Sequence, residues 1–180
     1  TNITQDLAIG LHTSPQNAEE IKIGSGNSIA SNVPEDTIIE IEGIGGRESK
    51  KRKLRYINEI IEARMREIFE SAYKLLSNQF DLKMITAGLT LTGGASLLKN
   101  SELLAEEIFN MSTKVGYPYL SNLAGPTEQL ENPKYATSVG ILYHTFNKLS
   151  DKDEKIQSFQ AMDPFMRFIK KIIANFKNYI

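Results

Sequence analysis

Leu89 to Leu98, LTLTGGASLL, constrains the fold more than any other stretch of this chain. Leu89 to Thr92 alternates apolar and hydroxyl side chains, the pattern of a half-buried strand. Gly93 and Gly94 interrupt it, and Ala95 to Leu98 opens a helical pattern that continues through Leu104 and Ile108. A strand, a Gly-Gly turn and a helix start form a βα unit, so an α/β fold is expected. The two glycines also leave bare backbone, against which something flat or anionic can lie. The plainer reading is an ordinary βα turn whose glycines supply positive φ.

A chain of 180 residues, 41% hydrophobic and 24% charged, is large enough to bury a core. Its net charge of -1 steers it to no class of partner by bulk charge, and with no cysteine it has neither disulfides nor thiolate metal sites. No apolar run approaches the ~20 residues of a membrane span. TNITQDLAIG has no basic stretch followed by an apolar one, so no export signal is expected.

Thr4 is placed to N-cap a first helix with Leu7, Ala8 and Leu11 on one face. Ser14-Pro15 breaks the chain and starts a second helix, Gln16 to Ile23, that stops at Gly24. On it Glu19 and Lys22 stand three apart and share a face. They read either as a solvated surface pair or as a grip on a polar ligand such as a ribose. Gly24-Ser25-Gly26 is not a dinucleotide fingerprint, because Ile29 stands where the third glycine belongs.

Ser28 to Ser31 and Thr37 to Glu42 read as short strands, Ile39 and Ile41 facing opposite to Ile38, Glu40 and Glu42. Arg47 to Arg55 then carries six Lys or Arg against Glu48 alone. The run lacks aromatic interleaving, so nucleic acid is not an expected partner. A solvated helix start, or a docking face for an acidic peptide, fits better. A long helix is expected from Lys50 to Asn78, with Leu54, Ile57, Ile61, Met65, Ile68, Ala72, Leu75 and Leu76 as its apolar stripe. Arg64 and Glu67 flank that stripe, within reach of a partner.

Lys114 to Tyr117 reads as a strand, and Tyr135 to Leu149 as a helix with Val139, Leu142, Tyr143 and Phe146 inward and Gly140 at a close packing contact. There is no G-x-S-x-G, no H-E-x-x-H and no P-loop lysine, so no catalytic residue or metal ligand is assigned. Ser150 to Asp163 is polar and reads as a linker. Beyond it, Phe165, Phe168, Ile169, Ile172, Ile173 and Phe176 follow helical spacing, with Arg167, Lys170, Lys171 and Lys177 on the other side and no acid after Asp163. This is a basic amphipathic helix, able to lie in the interface of an anionic membrane. A last helix packed on the core and a calmodulin-type target are the alternatives.

Together these segments resemble FtsA, the actin-like bacterial cell-division family. ITQDLAIGL followed by AEEIK resembles its early nucleotide-site helices, and LTLTGGASLL its adenosine motif. VGYP, and then P-x-YATSVGIL from Pro133, are similar to its following strand and closing helix. GIGGR and IIEARMREIF resemble the upper subdomain of its second lobe, and the tail its membrane-targeting helix.

The resemblance implies an actin-like ATPase (ribonuclease H-like) lobe, in which distant segments share a sheet. Residues 1–24 and 83–149 would form the nucleotide-site subdomain, 25–82 an inserted FtsZ-binding subdomain, 150–163 a linker and 164–180 the membrane helix. It implies an adaptor tethering FtsZ filaments to the cytoplasmic face of the cell membrane at the division septum, within the divisome, and self-assembling into actin-like filaments. An ATPase whose turnover is the primary activity is the alternative. Glu19 and Lys22 would flank the adenine and ribose of ATP, while Gly93, Gly94 and Ser96 would let the nucleoside approach. The triphosphate and magnesium half is expected on a first lobe outside this sequence, so hydrolysis by this chain alone is expected to be weak or absent. Arg47, Arg64 and Glu67 would meet the acidic FtsZ C-terminal peptide.

Overall fold

The computed structural model describes residues 2–121, 123, 125 and 127–150. Two helices open the chain, α1 (Asn2–Leu11) and α2 (Pro15–Ser25). The expected cap at Thr4 is corrected: α1 already starts at Asn2, and Thr4 sits buried within it, facing α2. The cap lies instead at Ser14, whose Oγ accepts the Asn17 N–H at 3.1 Å with Pro15 in the first turn. Thr13 is buried between these helices and donates its hydroxyl to the Glu42 carbonyl at 2.7 Å.

The expected strand at 28–31 is a 3-10 turn, Ala30–Asn32, beside a parallel bridge between Asn27 and Lys99. Strands β1 (Ile38–Ile41) and β2 (Lys50–Lys53) then pair antiparallel, Ile38 with Lys53 and Ile41 with Lys50. The Lys50–Lys53 run is therefore a strand and not the start of the long helix. It has no apolar stripe to bury, and Gly45 and Gly46, with φ of 66° and 79°, fold it back along β1. As the alternation anticipated, Ile39 and Ile41 point inward and Ile38, Glu40 and Glu42 are exposed.

Helix α3 (Leu54–Ser77) buries Ile57, Asn58, Ile61, Met65 and Phe69. Its expected stripe is corrected at the far end, where Ile68, Leu75 and Leu76 are exposed. Phe69 takes the inward position, and its ring and that of Tyr73 meet Phe109 edge-on at 6.4 and 5.7 Å. One apolar cluster holds Leu7 and Leu11 of α1, Ala18 of α2, Ile41 of β1 and the α3 stripe. It extends to Leu98, Leu104 and Phe109, and so joins residues of both expected subdomains.

The central unit is β3 (Leu89–Leu91), a 3-10 turn (Gly94–Leu97), α4 (Ser101–Phe109) and β4 (Thr113–Val115). The helix expected to run on from Ala95 is broken at Asn100, whose left-handed φ of 59° restarts it at Ser101. Strands β3 and β4 pair in parallel, as a βα crossover requires, Leu89 with Thr113 and Leu91 with Val115. The outward N–H groups of β4 are covered by α4: Glu106 accepts that of Thr113 at 2.8 Å and Glu102 that of Val115 at 2.6 Å.

Residues 1–139 form one compact unit and 140–180 another. The last described helix, α5 (Ala136–Ser150), starts in the first unit with buried Val139. Two expectations on it are corrected. Leu142 and Phe146 are exposed, because a 3.6-residue period defines a face without saying what covers it. A Cβ on Gly140 would meet nothing within 4 Å, so that glycine marks no close contact. The linker beyond Ser150 and the amphipathic tail, residues 164–180, lie outside the described residues. No described helix is long and apolar enough to cross a membrane.

Candidate functional site

The Gly-Gly turn is a firm, bare ledge. Gly93 has φ 90°, which side chains rarely adopt, and a Cβ there would meet nothing within 4 Å. Its conformation, and not crowding, demands glycine, and the space beside it is open. Gly93 donates its N–H to the carbonyl of buried Pro133 at 3.1 Å. A Cβ added at Gly94 would meet, among the described residues, just the Cβ of Lys134, at 3.8 Å. Ser96 is buried and donates its hydroxyl to the Gly93 carbonyl at 2.7 Å, which holds the turn in shape from below. Pro133, which opens the segment similar to the family's closing helix, and Lys134 border the turn. Their signal is Asn132-Pro133, where the Asn132 side chain accepts the Lys134 N–H at 3.0 Å and sets a short 3-10 turn against the glycines.

Glu19 and Lys22 are paired as their spacing implied, at 2.7 and 2.6 Å. Thr4 completes a triad: it donates to Glu19, and Lys22 donates to it at 3.1 Å. The Lys22 hydrogen bond first, and that from Thr4 second, hold the Glu19 carboxyl below its ordinary value of 4.5. A carboxylate depressed in the folded state adds stability above its unfolded pKa, and that stability is lost as pH falls through the folded pKa. The Glu19 side chain is 41% exposed, so solvent screening keeps the effect small. Glu19→Gln is therefore expected to lower the urea midpoint slightly at pH 7, and the difference from the parent to close as the pH is lowered through the folded-state pKa of Glu19. An unchanged difference across that range would refute the ionic role.

The triad and the glycine ledge share no described hydrogen bond. They are linked through the end of α2, where Gly26 lies so close to Leu98 that a Cβ would meet its Cδ2 at 2.8 Å and the Lys22 carbonyl at 2.3 Å. Around this junction Asn58, fully buried on α3, accepts the Asn27 N–H at 2.5 Å and donates to the carbonyls of Ser25 and Leu54. Asn27 in turn accepts from Asn100 at 2.9 Å. This hub was not read from the sequence, although an asparagine at stripe spacing from Ile61 and Met65 was the available signal.

The expected partner residues separate. Arg47 is exposed and makes no ion pair among the described residues. Arg64 instead grips Asp6 of α1 with two nitrogens, at 2.5 and 2.9 Å, and Glu67 with a third at 2.6 Å. The hydrogen bonding that Arg64 donates to the Asp6 carboxylate is the main reason its pKa is raised further. Arg66 similarly ties α3 to Glu107 of α4 at 2.9 Å. Among the described residues no group of acidic or histidine side chains is set to hold a metal.

The family profile described as cell division protein FtsA matches residues 1–140. The chain belongs to the FtsA family. The FtsA of Pseudomonas aeruginosa is 35% identical over 149 residues, covering 83% of this chain and 35% of that protein. The Escherichia coli K12 FtsA is 30% identical, covering 79% of this chain and 35% of that protein. The chain thus spans about a third of the length of these curated FtsA relatives. In fold it is similar to Spiroplasma citri MreB5 solved with ADP, at TM-score 0.60 and 16% identity over 86% of this chain and 45% of that one. The same protein with AMPPNP gives TM-score 0.62 and 17% identity over 84% and 45%. The FtsA-family lobe is therefore actin-like, as the resemblance implied, and α/β, as the βα unit anticipated.

Proposed function

We propose that this FtsA-family chain serves cell division as a membrane-tethered adaptor for FtsZ filaments. The observation that carries the reading is the family match across residues 1–140. The basic amphipathic pattern of Phe165 to Lys177 supplies the tether, placing the chain at the cytoplasmic face of the membrane at the division site. Its four cations contribute up to ~1 kcal/mol each near an anionic surface. Exposed and without an ion pair among the described residues, Arg47 meets the acidic FtsZ peptide more readily than Arg64, which is engaged by Asp6 and Glu67. Gly93 and Gly94 would hold the adenosine part of ATP on their ledge, with Glu19 and Lys22 at its flank. Filament self-association follows from the same actin-like lobe. The MreB5 structures with ADP and AMPPNP support a nucleotide on such a fold.

Flotation with vesicles of anionic lipid tests the reading, comparing the full chain with a Phe168→Glu, Ile172→Glu variant, with and without FtsZ. The full chain is expected to float and carry FtsZ, and the variant to stay down with it. A full chain that stays down refutes the tether. One that floats and leaves FtsZ behind refutes the partner.

A further inference from the structure

We infer that the free edge of β2 takes up an acidic, extended segment as a third strand of the β1–β2 sheet. The inference deepens the proposed role, since it assigns a mode of contact to an acidic partner. Leu54 donates its N–H to the Thr37 carbonyl at 2.8 Å, which marks a hydrogen-bonded antiparallel pair. Counting by twos along the register, Arg52 with Ile39 and Lys50 with Ile41 are the other such pairs. Lys51 and Lys53 therefore direct their N–H groups away from β1, together with the Lys51 carbonyl. No described residue covers them, whereas the outward N–H groups of β4 are capped by Glu102 and Glu106.

An open row of donors is a template for another strand. Charge decides which strand. All four β2 residues are exposed, and with Arg47 they make no described ion pair. Four cations in a row repel a second β2, so copies of this chain do not pair edge to edge there. The β1 edge of a second copy offers Glu40 with Ile38, a poor counterpart. An extended segment with an acid at every second position places its carboxylates over Lys51 and Lys53 while its backbone completes the ladder.

The test uses the full chain and a short fluorescein-labelled peptide of alternating Glu and Thr, followed by anisotropy at about 50 mM salt. Two further peptides are N-methylated, one at every Glu and one at every Thr. In a strand, residues of one set point their N–H groups to β2 and those of the other set point away. One methylated peptide is therefore expected to bind like the parent and the other about tenfold more weakly or worse. Lys51→Glu should weaken the parent peptide. Lys51→Pro, which removes an outward N–H and leaves the β1 ladder intact, should weaken it too. Equal binding of all three peptides means attraction by charge alone; it overturns strand addition while leaving an acidic partner in place. Failure of the parent peptide to bind, its displacement by duplex DNA at equal charge, or self-association lost in Lys51→Glu each overturns the inference outright.

Discussion

Replacing Asn58 by Leu is expected to cost about 3 kcal/mol of folding stability. The two side chains branch alike and have the same number of heavy atoms, so the change removes the amide's hydrogen-bonding groups without deleting side-chain atoms. Asn58 is fully buried and serves two otherwise stranded backbone groups, the Asn27 N–H and the Ser25 carbonyl. A buried polar group without a partner costs roughly 1–3 kcal/mol. Urea unfolding followed by circular dichroism should show the midpoint falling with an unchanged slope. A loss under about 1 kcal/mol would mean that Asn27 and Ser25 find other partners. The substitution has a second consequence. Asn27 also accepts from Asn100, which stands directly before α4, and Ser25 closes α2. Loosening that junction separates the helix carrying Glu19 and Lys22 from the segment carrying the glycine ledge, so the ATP placement proposed above predicts that nucleotide affinity falls along with stability.

Ile61→Ala is expected to cost about 2–5 kcal/mol, the usual range for a buried aliphatic truncated to Ala. Ile61 is fully buried in the cluster that gathers α1, α3 and α4. Those helices close on it from separate parts of the chain, which limits collapse into the space it leaves. Leu75→Ala, at a position 65% exposed near the end of the same helix, should change stability by no more than about 0.5 kcal/mol. Both residues belong to one apolar stripe by spacing. Parallel urea titrations of the two variants would show whether the packed part of α3 ends near Phe69. Equal losses would refute that boundary.

What the sequence revealed follows how local the cause was. Glu19 and Lys22 lie three residues apart on one helix, and their pairing was readable from that spacing. Thr4, the third member, lies 15 residues from Glu19, and only the packing of α1 on α2 brings it there. Arg64 looked available for a partner because Asp6, 58 residues away, could not be seen beside it. The basic run was read as a helix start because charge is compatible with either state. The glycines of the turn at 45–46 and the pairing with β1 chose the strand.

By itself the sequence determined the α/β class, the βα unit at Leu89–Leu98, the inward and outward faces of β1, and membership in the FtsA family. All of these depend on local periodicity, on glycine's freedom at a turn, or on the order of motifs along the chain. Only the tertiary structure decided that Ser96 supports the glycine ledge from below, that Asn58 is the polar hub of the core, and that Arg64 is engaged while Arg47 is free of described ion pairs. It also decided that β2 keeps an uncovered edge while β4 is capped. Each of these is a question of which groups satisfy one another's hydrogen bonds and charges across long stretches of chain, and a partner is settled only when packing brings it within about 3 Å.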